Sequence, residues 1–158
     1  MKASIDRSRS DAEANAAIAA AKPVRAPLAP LLAGARARGV ADGLELLGAA
    51  AALLDEHGDV LHVNARAVGM MGEELFVSGQ RLRAAGKQVD ESLAAAITSS
   101  LRQRVVLRVA LSERPEGRVS AVRIVPVAPE GEEAFQLLRA VAILEAYGER
   151  VAPGAGLN

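Results

Sequence analysis

The sequence predicts an α+β fold, a five-stranded antiparallel sheet with helices across one face. Three observations carry that expectation. The apolar run Ala49–Leu54 meets a polar turn, Asp55-Glu56-His57-Gly58-Asp59, and a second apolar run, Val60–Val63, which is the pattern of a hairpin with a Gly-containing loop of about five residues. Two further segments, Arg104–Leu111 and Arg118–Pro126, alternate around a second turn, Glu113-Arg114-Pro115-Glu116-Gly117. The last apolar run, Leu137–Leu144, is broken only by Arg139, as befits a central strand covered on most of both sides.

The elements follow in order. Ser10 and Glu13 form a capping box, and Asp11–Ala21 favours helix until Pro23 stops it. Pro23, Pro27 and Pro30 read as a stiff connector. A second helix is expected from about Leu28 or Pro30 to Arg38, closed by Gly39, with Leu28, Leu31, Leu32 and Ala35 on one face. Leu44, Leu46 and Leu47 lead into the first strand. After the hairpin, Asn64 is suited to cap a helix over Ala65–Met71, which Gly72 can close. Residues 73–85 read as irregular, with a turn at Gly79. A longer helix follows from Val89 or Asp90 to Arg102, because Leu93, Ile97 and Leu101 recur every four residues. Arg104–Leu111 sets Val105, Leu107, Val109 and Leu111 on one face and Arg104 and Arg108 on the other. Pro126–Glu133 is expected to be a loop. The domain organisation is therefore a helical extension over residues 1–43, a core over 44–146, and a tail or linker over 147–158.

Composition excludes several chemistries. The chain has 158 residues, no cysteine and a net charge of zero. Disulfides, thiolate metal sites and thiol nucleophiles are thereby ruled out, and a reducing cytoplasm is the expected setting. The N-terminal MKASIDRSRS lacks a signal-peptide core, and no run approaches the roughly 18 apolar residues that span a bilayer. Charge is uneven: residues 1–39 hold seven basic and three acidic side chains, 40–80 hold one and seven, and 81–123 hold nine and four. Complementary charge between protomers is one use of such a pattern. Nucleic acid would want one basic face with stacking aromatics, and Phe76, Phe135 and Tyr147 are the only aromatic residues.

The run Leu53-Leu54-Asp55-Glu56-His57-Gly58-Asp59-Val60, continuing through Asn64 to the helix and Gly72, resembles the opening of a PAS sensor domain. With the stretch Gly79-Gln80-Arg81-Leu82-Arg83-Ala84 ahead of a long helix, it is similar to the PAS-like domain of bacterial LuxR-type transcription regulators. The resemblance covers about Leu44–Glu145. It implies a strand order of 2-1-5-4-3 and a sensory or dimerisation role, as part of a regulator whose helix-turn-helix would lie beyond this chain. Homodimerisation is expected through the N-terminal helices, on the Leu28, Leu31, Leu32 stripe and the alanine-rich helix before it; a small apolar ligand is the other expected partner, without direct DNA binding by residues 1–158.

Members of that family hold haem, flavin or small metabolites between sheet and helices. A cysteinyl flavin adduct is excluded here, and His57 in the turn and His62 on a strand are not placed as haem ligands. No cofactor is expected. The Asp55–Asp59 loop lacks the ligand spacing of a calcium loop, and no metal is expected. No nucleophile elbow, HExxH, Walker or dinucleotide motif occurs, so no catalytic residue is assigned and the chain is not expected to be an enzyme. Met70, Met71, Leu75, Phe76 and Ile97 are the ligand-pocket candidates, flexible thioethers beside an aromatic ring. Arg104, Arg108 and Arg123 are the anion-site candidates if adjacent strands bring them together. The rival readings are a ligand-free interaction module and, more weakly, a small α+β enzyme.

Overall fold

The computed structural model describes residues 25–112 and 118–148. The expected Asp11–Ala21 helix, the Glu113–Gly117 turn and most of the C-terminal tail lie outside these. The chain divides into two compact units, residues 1–32 and 33–158. In the first, the described backbone is helical from Arg25. The rest of the description concerns the second.

Seven strands and four helices make up the described fold. In chain order they are α1 (Arg25–Leu46), β1 (Ala50–Leu54), β2 (Val60–Val63), α2 (Ala65–Met70), β3 (Leu75–Ser78) and β4 (Arg81–Ala84). There follow α3 (Lys87–Gln103), β5 (Leu107–Ala110), β6 (Ala121–Pro126), α4 (Pro129–Phe135) and β7 (Ala140–Glu145). Five strands form one antiparallel sheet in the order β2-β1-β7-β6-β5, and β3 and β4 form a separate hairpin. The strand labels thus differ from the expected 2-1-5-4-3, because residues 73–85, read as irregular, contribute two more strands. Their turn, Gly79-Gln80, has positive φ at both residues, the geometry of a tight two-residue hairpin. β7 pairs with β1 on one side and β6 on the other, so the apolar C-terminal run is central.

The register sorts side chains by face. Ala50, Ala52 and Leu54 of β1 join Val122 and Ile124 of β6 and Ala140, Ala142 and Leu144 of β7. Onto that face pack Ala67 of α2, Leu75, Leu82 and Ala84 of the hairpin, and Leu93 and Ile97 of α3. Each buried leucine or isoleucine contributes about 2 kcal/mol of transfer free energy. The opposite face carries Leu53, and there Ala37 and Ala41 of α1 pack with Leu138, flanked by Val40, Leu44, Leu61, Val127 and Val141.

The second core corrects the expectation of helices on one face only. It also corrects the expected helix end at Gly39: α1 continues to Leu46 through Gly39 and Gly43. A helical glycine costs about 1 kcal/mol, but positions 37, 40, 41 and 44 form an i, i+3, i+4, i+7 stripe whose burial offsets it. The Pro27–Pro30 connector is likewise helical. Pro27 falls in the first turn, where its missing N–H would have no intrahelical acceptor anyway. Three smaller boundaries move. α2 ends at Met70 with Met71 as an extended cap, and α3 starts at Lys87 rather than at Val89 or Asp90. Pro129–Phe135 is helical rather than loop, with Pro129 in its first turn and Glu130 and Glu132 beside it.

Candidate functional site

Asn64 joins three elements. It is 2% exposed and fills its expected N-cap role, its Oδ1 accepting the Ala67 N–H at 2.9 Å. The same oxygen accepts the Ala51 N–H of β1 at 3.0 Å. Nδ2 donates to Ala49 O at 2.8 Å and, more weakly, to Ala41 O of α1 at 3.4 Å. Next to it, the Arg66 N–H of α2 donates to Glu45 Oε2 of α1 at 3.0 Å. The back-face helix is therefore wired to the start of α2 through two side chains.

The anion-site candidates separate. Arg108 and Arg123 are cross-strand neighbours on β5 and β6 and converge on Glu145 of β7. Arg108 Nε donates to Oε2 at 2.7 Å, while an Arg123 terminal nitrogen lies 2.6 Å from Oε1, off the hydrogen-bonding direction. One carboxylate between two guanidiniums engages both and leaves this cluster with one net positive charge. Arg104 is elsewhere, in a left-handed conformation capping α3, and is paired with Glu132 at 2.7 Å. Ser100 helps to hold that corner, its hydroxyl donating to Val105 O at 2.6 Å.

The ligand-pocket candidates divide between the main core and the surface. Leu75 and Ile97 are buried in the main core, with Met70 and Met71 packed against it, while Phe76 is exposed on β3. Two open clefts lie nearby. One, of about 250 Å3, runs between the β3–β4 hairpin and α3, lined by Arg81, Arg83, Asp90, Glu91 and Ile97 among others. Its charges are mutually satisfied: Arg83 grips Asp90 with two nitrogens at 2.7–3.0 Å, and the Ala84 N–H donates to the same carboxylate. These bonds, Arg83 first, hold the Asp90 carboxyl below its ordinary pKa. The other cleft, of about 490 Å3, opens where β1 begins and β7 ends. Met70, Arg66, Arg123, Leu144, Glu145 and Leu47 line it; of the pocket candidates, Ile97 lines the first of these clefts and Met70 the second.

The turn histidine His57 is exposed beside Glu56, and His62 is half-buried on β2. Among the described residues no three acidic or histidine side chains gather as a metal site, and no helix is long and apolar enough to cross a membrane. Sequence reasoning passed over Glu45, Glu145 and the second role of Asn64. Strand alternation alone would have put Glu145 on the face of Arg123, whereas Glu45 required knowing that the helix passes Gly39.

No family model matches the sequence, and comparison with curated proteins and with solved structures finds no match. What the fold defines is an α+β domain with an antiparallel five-stranded sheet helped by helices on both faces.

Proposed function

We propose that this chain is a non-catalytic sensory and dimerisation domain of the PAS-like kind, the regulatory part of a cytoplasmic LuxR-type regulator. The observation that carries this reading is the wiring of α1 to the sheet and α2 through Asn64 and Glu45. A ligand or partner that favours one arrangement of the sheet end is then linked to the N-terminal helix, where protomers would meet. The signal is a shift between protomer packings, limited by the input's differential affinity for them. Two further features support it: the C-terminal strand lies between the N-terminal hairpin and β6, and helices α2 and α3 pack on the face opposite α1.

A ligand-free interaction module is the second reading. It is favoured by the main core, which is filled with Leu54, Leu75, Leu93 and Ile124, and by the exposed Leu46, Leu47, Val106 and Leu137. Sedimentation velocity of the full chain tests the first. The wild type is expected to be a dimer at micromolar concentration, and Leu31→Asp, on the Leu28, Leu31, Leu32 stripe, a folded monomer. A monomeric wild type contradicts the proposal.

A further inference from the structure

We propose that the cleft where β1 begins and β7 ends binds a small amphipathic monocarboxylate, its head on Arg66 and its apolar body along Leu47, Met70 and Leu144. The cleft measures about 490 Å3, within the roughly 300–1,000 Å3 typical of small-molecule sites. Its rim leaves large apolar groups in water. Leu47, in its lining, is 83% exposed. Tyr147, 55% exposed, follows β7 as Leu47 precedes β1, and the Ala50–Leu144 pairing puts both at the same end of the sheet.

Charge sets the head group. Arg108 and Arg123 are both engaged by Glu145. Arg66 lines the same cleft, is exposed, and among the described residues its guanidinium has no carboxylate partner. Glu45 is near it but is held by the Arg66 backbone N–H. Three guanidiniums against two carboxylates leave one positive charge, which suits a single anionic head. A free guanidinium fork matches a carboxylate in a bidentate way. Because the Arg66 N–H is bonded to α1, an occupant here would act on that helix; this consequence, though not the site, rests on the sensory reading above.

Decanoate titrated into the full chain tests the site, read by calorimetry and by the fluorescence of Tyr147, the only tyrosine in a chain without tryptophan. Decanol supplies the tail without the charge and acetate the head without the tail. Decanoate is expected to bind saturably, one per chain, at least tenfold more tightly than decanol, with acetate silent. Arg66→Gln should bring decanoate down to the decanol level, Arg66→Lys should keep part of the difference, and Leu47→Asp should weaken both. Absence of saturable decanoate binding, or binding undiminished in Arg66→Gln, overturns the site. Decanoate binding that leaves sedimentation of the full chain unchanged supports the site and counts against the sensory reading. A chain that dimerises through Leu31 yet ignores decanoate does the reverse.

Discussion

At the scale of the residue, Asn64 is the most constrained position described. An N-cap usually tolerates aspartate as well as asparagine, since only an acceptor is needed. Here Nδ2 also donates to Ala49 O, so a carboxylate would face a carbonyl oxygen in a buried place. Asn64→Ala leaves the N–H groups of Ala51 and Ala67 and the Ala49 carbonyl without this partner, at a cost of about 2–4 kcal/mol in urea unfolding. Asn64→Asp should also destabilise markedly, where a simple cap would be neutral. Asp90 provides a pH-dependent test. Its folded pKa is lowered from 3.8 by Arg83 and the Ala84 N–H. The stability it contributes is therefore complete above the unfolded value and lost as pH falls through it toward the folded one. Asp90→Asn should flatten the acid limb of a thermal-melting profile below about pH 5 and lower the melting temperature above it. An unchanged acid limb would contradict the assignment. The Asn64 cap was legible from its place before a helix, and its links to β1 and α1 were not, because they join residues 13 to 23 positions apart.

At the scale of the element, the first hairpin shows how a local signal and a tertiary contact coincide. Asp55 Oδ1 accepts the N–H groups of His57 and Asp59, which fixes the turn. Gly58 then takes a φ of 82°, and a Cβ there would sit 2.9 Å from Ile97 Cγ2 of α3. Gly58→Ala should cost about 1–3 kcal/mol, and should cost less in an Ile97→Leu background, where leucine has no Cγ2 to meet the added methyl and only the φ strain remains. An equal cost in both backgrounds would contradict this account. The turn composition made Gly58 readable; the approach of α3 did not follow from it. Similarly, alternation revealed β5 and β6, but Arg104 belongs to the end of α3, because Ser100 and the left-handed cap close the helix there. The β3–β4 hairpin escaped the pattern because its strands are four residues each and bury chiefly Leu75, Leu82 and Ala84. Its tip is held in place from outside, by Arg81 on Asp59 and on the His57 carbonyl.

At the scale of the whole molecule, two cores share one sheet, and α1 is part of the second. Alanine is the reason that this was hard to read. Ala37 and Ala41 pack against Leu53 and Leu138, yet alanine gives little hydrophobic contrast along a helix, so Gly39 was the stronger visible signal. The consequence is functional: the helix proposed to meet a second protomer is also a wall of the domain that would receive the input. The absence of cysteine permits a clean test. A single spin label at Arg38→Cys, an exposed position on α1, reports the distance between α1 helices of two protomers by pulsed dipolar spectroscopy. A narrow distance distribution is predicted for the full chain, broadening or shifting when Asn64→Asp loosens the link between α1 and the sheet. The absence of any dipolar signal, or a distribution indifferent to that change, would contradict the claim that this domain signals through α1.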